Sequence, residues 1–141
     1  MRKTDLLVLI LVFLTSCQGI TKDDVVTNIS GYWEIKEVKL KDGTLKEYKI
    51  STTIDFIKML DSTKGFRKKL QPNLIGKFYG SDDVEQFTIL EMDNSFWLQY
   101  ATNLTKWKER ILEIEENLLV VENENGITYY YKRFKPINVS E

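Results

Sequence analysis

Cys17 is the single thiol of a 141-residue chain that contains no histidine at all. A catalytic thiol or hydroxyl needs a partner to take its proton, and the side chain that most often does so is missing. Cys-His and Ser-His chemistries are therefore excluded. With no second cysteine there is no intramolecular disulfide either, which leaves Cys17 as a buried free thiol or a point of covalent attachment. Carboxylates are plentiful, but Asp82-Asp83 and Glu113, Glu115 and Glu116 stand in turn-like or alternating surface contexts. They read as solvated charge unless folding brings a pair together for acid–base work or calcium binding. No Gly-rich phosphate loop and no Cys/His metal spacing occurs. The expectation is a protein without catalytic residues, metal or cofactor, and not an enzyme.

Binding chemistry is better provided for. Aromatic residues make up 12% of the chain, and Phe56, Phe87, Phe96, Tyr100 and Tyr129 are candidates to line a ligand site, with core packing as the alternative for each. Arg67, Lys68 and Lys69, near Lys64, form a local basic cluster suited to an anionic headgroup, a carboxylate or a glycan phosphate; a plain solvated loop is the competing reading. Tyr129-Tyr130-Tyr131 cannot all point one way on a strand, so at least one phenol faces outward. Twenty basic against 21 acidic side chains give a net charge of −1. Nothing in that balance favours nucleic acid.

The elements around these residues begin with Arg2 and Lys3, followed by an aliphatic run from Leu6 to Leu14. A run this short fits the apolar core of a secretion signal, whereas a helical membrane span needs about 20 apolar residues. The sequence Leu14-Thr15-Ser16-Cys17 resembles the lipobox of bacterial lipoproteins. That resemblance implies cleavage between Ser16 and Cys17 and a diacylglycerol on the Cys17 thiol, so that the partner of the N-terminus is a membrane. One acyl chain anchors only marginally and two or more anchor stably. Gln18 in place of the aspartate that retains some lipoproteins at the inner membrane implies the outer membrane. Lys22-Asp23-Asp24 resembles short surface-export tags, and periplasmic face and cell surface both stay open. Residues 1–16 are thus expected to be signal, 17–30 anchor and polar tether, 31–136 one folded domain, and 137–141 a tail.

From Gly31 onward, short apolar-aromatic runs alternate with turn pairs, and helical periodicity is nearly absent. The runs are 31–38, 44–50, 53–60, 76–80, 84–92, 95–102, 106–115, 118–124 and 127–134. Turns are expected at Asp42-Gly43, Ser81-Asp82-Asp83, Asp93-Asn94, Glu116-Asn117 and Asn125-Gly126, and a bulge where the apolar side switches between Ile111 and Leu112. Helices at 53–60 and 104–116 are the competing readings. Tight connections between consecutive strands imply an antiparallel meander, and about eight strands would hide their edges by closing into a small up-and-down β-barrel. The rhythm lapses from about 61 to 75, which predicts a polar loop over one barrel mouth.

The opening "GYWEIKEV" with its following "DG", the middle "KGFRKKLQPNLIGKFYG" and the closing "TYYYKRF" together resemble the lipocalin-like lipoproteins of bacteria. The resemblance implies that Trp33, in Gly31-Xaa-Trp33, plugs the barrel base with Arg133 packed on it. It also implies non-catalytic binding of a small apolar or amphiphilic ligand by a monomer. The alternative function is a filled barrel that binds another protein, as an envelope assembly partner or an inhibitor of a hydrolase.

Overall fold

The computed structural model describes residues 18–72 and 78–135, apart from the side chains of 72 and 78–82. The signal segment, Cys17, the start of the expected strand at 76 and the tail at 137–141 lie outside the described residues.

Among the described residues, helix α1 (Lys22–Asn28) is followed by nine strands: β1 (Gly31–Lys39), β2 (Leu45–Glu47), β3 (Ile54–Met59), β4 (Lys64–Pro72), β5 (Phe78–Met92), β6 (Ser95–Ala101), β7 (Lys106–Glu115), β8 (Leu118–Asn123) and β9 (Thr128–Arg133). All pairings are antiparallel. From β3 to β9 each strand pairs with the next in sequence, and β9 returns to pair with β1. The result is a closed eight-stranded barrel of β1 and β3–β9. Strand β2 is the extra one: β1 gives Gly31–Trp33 to β3 and Glu37–Lys39 to β2 along the same edge. Closure removes the exposed edges that an open meander of this length would present.

Local chemistry fixes the hairpins. Asp93 and Asn94 both take positive φ (51° and 56°), the geometry that matches strand twist and that Asp and Asn tolerate better than other non-glycine residues. Glu116-Asn117 joins β7 to β8 in two residues. In the β8–β9 connection the Asn123 side-chain oxygen accepts from the N–H groups of Asn125 and Ile127. Between β3 and β4, Asp61 accepts in the same manner from Thr63 and Lys64. The bulge expected in β7 is present as a register shift between Ile111 and Glu113.

Four expectations are corrected. The stretch 64–72 is strand β4 and not a mouth loop; its inward face alternates Gly65, Arg67 and Lys69, so the period-two pattern carries charge where apolar residues would have revealed it. Residues 81–83 do not turn, because β5 runs unbroken from Phe78 to Met92 with its irregularity taken up opposite Lys68 and Leu70. The 44–50 run pairs only over Leu45–Glu47, all three exposed. Finally, Lys22–Asp24 belongs to a helix: Thr21 and Asp24 form a reciprocal capping box, which satisfies two otherwise unpaired N–H groups. Both 53–60 and 106–115 are strands.

The core fills the barrel from its closed end. Trp33, Ile57, Ile89, Phe96, Leu98, Ile111, Ile114 and Leu119 pack there with Val25 and Ile29 of the α1 segment, which cover the base. Each such burial contributes about 1.5–3 kcal/mol.

Candidate ligand site in the barrel

Two residues seal the base. The Trp33 indole N–H donates to the Ile29 carbonyl at 2.8 Å, and the Arg133 guanidinium lies 3.7 Å from the centre of the Trp33 ring. Arg133 also donates to the carbonyls of Asn28 (2.7 Å), Ser30 (2.8 Å) and Glu116 (2.9 Å). It satisfies acceptors at the end of α1 that have no helical partner and ties them to the β7–β8 turn. Gly31 makes room for this: its φ is +135°, and a Cβ there would stand 2.3 Å from Arg133 Nη1.

Toward the opposite end the inward face changes character. Register places Asp55 and Lys69 side by side, Arg67 beside Glu85, Phe87 beside Tyr100, and Tyr100 beside Trp107. Arg67 is buried and donates from Nε to Glu85 at 2.6 Å, with Nη1 at 3.3 and 3.4 Å from the two oxygens of Glu109. Lys69 donates to Asp55 at 3.0 Å. The Arg67 guanidinium lies 4.3 Å from the Tyr100 ring centre, Tyr100 stacks on Trp107 at 5.2 Å, and Phe87 meets Tyr100 edge-on at 5.5 Å. Gly65 leaves space for Phe87, whose ring would stand 2.5 Å from a Cβ at that position.

Electrostatics follow from the burial. Desolvation pushes the Glu109 carboxyl above the usual carboxylate range, and Arg67 offsets part of that rise. Burial works against the charge on Arg67, yet the surrounding Tyr100, Glu109, Tyr131 and Asp55 raise its pKa well above the ordinary value. Tyr100 and Tyr131, both enclosed, are held in the neutral form by desolvation. The Tyr100 hydroxyl is buried with no hydrogen-bond partner. Trp107, Tyr129 and Glu85 at this end are half-buried. Glu85 also borders an open groove of about 910 Å³ between Asp83–Gln86 and Ala101–Leu104.

The candidates from the sequence are thus divided. Phe87, Tyr100 and Arg67 meet in the upper barrel, with Tyr129 on the same inner face, and Lys69 reaches Asp55 from a largely exposed position. Phe96 points inward but opposite Ile111, in the apolar base. Phe56 lies on the outer surface between Tyr32 (4.8 Å) and Phe66 (6.1 Å), and Lys68, directly opposite Phe56, shares that outer face. The basic cluster does not exist as a rim: alternation separates its members, and Arg67 and Lys69 are already paired with acids. Asp55, Glu85, Glu109 and Trp107 were missed as site residues. Their signal was parity, since Glu109 shares a face with Trp107 and Ile111, and Asp55 with Ile57. Among the described residues no group of three acids, cysteines or histidines could hold a metal ion.

No protein-family model and no curated protein matches the chain. Among solved structures it is similar to a lipocalin-like protein from Bacteroides uniformis, with 10% identity over 74% of this chain and 97% of the other, at a TM-score of 0.46. It is similar also to a de novo designed fluorescence-activating β-barrel (10% identity, 79% of this chain and 98% of the other, TM-score 0.46) and to lobster apocrustacyanin A1 (10% identity, 84% and 72%, TM-score 0.44). The chain is an all-β, closed eight-stranded antiparallel barrel with one extra strand, and lipocalin-like proteins are among the solved structures that resemble it.

Proposed function

We propose that this protein is a lipid-anchored, non-catalytic carrier that takes a small amphiphilic molecule into the upper half of its barrel, at the outer membrane of a bacterial envelope. The observation that carries the binding reading is the two-part interior. The base is wholly apolar, whereas the upper half joins to the same core an ionic and aromatic cluster with an unpartnered buried hydroxyl. A buried ion pair is a poor stabiliser compared with well-packed apolar residues of the same volume, so a barrel that served only as a solid block would gain by filling that half with aliphatic side chains. The interior of an eight-stranded barrel is either filled by side chains or just wide enough to hold one small ligand, and the polar upper half favours the second. The anchor reading is supported by the Leu14–Cys17 pattern after its aliphatic run.

The test is native mass spectrometry of the domain from residue 18, before and after organic extraction, with uptake of an amphiphilic fluorescent probe. A bound mass of a few hundred daltons that extraction removes, and probe uptake abolished by Tyr100→Trp, are expected. An empty barrel that also refuses the probe overturns the carrier. The outer row of Tyr32, Phe56 and Phe66 favours a second reading, attachment of another protein to the outer face of β1, β3 and β4. Alanine at Phe56 and Phe66 would then abolish capture of that protein without affecting the probe.

A further inference from the structure

The charges of the upper barrel pair off unevenly. Arg67 is held closely by Glu85 at 2.6 Å, and Lys69 by Asp55 at 3.0 Å. Glu109 is the carboxylate left over: its only ion-pair partner among the described residues is Arg67, already committed to Glu85 and no nearer than 3.3 Å. Two basic groups face three acids. Glu109 shares the inner face of β7 with Trp107, whose ring stacks on Tyr100, and the Tyr100 hydroxyl lies buried nearby without a partner. A surplus carboxylate and two stacked aromatic rings favour a cation, and the Tyr100 hydroxyl beside them can accept from it. An anion would face the surplus charge, and a neutral alcohol would leave that charge unanswered. A cation carrying N–H groups would donate to Glu109 and Tyr100 and lie against the rings.

We infer that the polar end of the ligand is a protonated primary amine, received by Glu109 and the Tyr100 hydroxyl, with Trp107 and Tyr129 along its apolar part. The inference rests on the carrier reading and narrows it to a ligand class. Trp107, Tyr129 and Glu85 are the half-buried members of this cluster, and Tyr100 and Glu109 lie beneath them, buried.

Calorimetric titration of the domain from residue 18 with decylamine, decanol and decanoate, at neutral pH and below their micelle concentrations, separates the two levels. Decylamine is expected to bind about tenfold tighter than decanol, the factor that about 1.4 kcal/mol of charge-assisted hydrogen bonding supplies, and decanoate more weakly than either. Glu109→Gln, close in shape to the native side chain, should remove the amine's advantage over decanol. Tyr100→Phe should lower amine affinity several-fold and decanol affinity by less. Equal binding of all three, or preference for decanoate, overturns the amine and leaves the carrier standing. Binding of none of them overturns both.

Discussion

At the scale of the residue, Arg67 is the most consequential side chain in the barrel. It bridges Glu85 and Glu109 and covers the Tyr100 ring, so its removal strands Glu109 away from water. Arg67→Met is expected to destabilise the fold by about 3–5 kcal/mol in urea denaturation, while the triple change with Glu85→Leu and Glu109→Leu should recover most of that loss, because the stranded charges go with it. Full recovery is not compatible with ligand uptake, which the triple variant should lose. Glu109 has a pH signature of its own. Burial raises its folded pKa above the value in the unfolded chain, so the native protein binds a proton that the unfolded chain does not, in the window above the ordinary glutamate range near 4.3. Acidification from neutrality through that window therefore adds stability at this site, and the gain is lost as pH rises through the folded pKa. Asp24, Asp42 and Asp61 have lowered values through hydrogen bonds to Thr21, Thr44 and Thr63. Their contribution has the opposite sign: present above the ordinary value of 3.8, it disappears as pH falls below it. Urea midpoints measured from pH 7 to 3 should rise or hold and then drop, and Glu109→Gln should flatten the first part alone.

At the scale of the element, the base works as one unit made from α1, the start of β1 and the end of β9. Gly31 is its pivot, since positive φ and the Arg133 side chain both forbid a Cβ. Gly31→Ala should cost about 1–3 kcal/mol of stability. In an Arg133→Ala background the same change should cost less, because only the backbone part remains; that non-additivity in a double-mutant cycle is the measurement. Additive losses would mean that Arg133 moves aside without consequence. Strand β4 shows why an element can be hidden from sequence. "KGFRKKLQP" has a regular inward row, but its members are Gly65, Arg67 and Lys69, so hydropathy reports a polar loop. By contrast β7 was legible down to its bulge, because the apolar positions Trp107, Ile111 and Ile114 change parity after Ile111 and only an extra residue keeps them on one face.

At the scale of the whole molecule, the barrel has a covered base and an opposite end where charged and aromatic groups meet solvent. The segment Gln18–Thr21 leads from Cys17 into α1 at the base. A chain of about four or five residues spans at most about 18 Å, so a lipidated Cys17 would hold the base toward the bilayer and direct the mouth into the aqueous space. Cys17→Ser in the full chain should stop incorporation of labelled fatty acid and leave an uncleaved precursor. A lipidated, shortened product from that variant would refute the anchor.

The sequence alone determined the places of β1, β3 and β6 to β9, their antiparallel pairing by tight turns, the all-β barrel class and the absence of histidine, whereas β4 was hidden and β5 read as two runs. Period-two alternation and turn residues are local signals, and a meander is the sum of local pairings. Tertiary structure decided what the inward row would be used for. Whether Arg67 is a rim cation or a buried one depends on Glu85 and Glu109, 18 and 42 residues away in the chain, and no local pattern records which charges closure will bring face to face. The helix at the base is a similar case: Val25 and Ile29 carry too few apolar residues to announce a helix, and they become core only because an open barrel end lies over them.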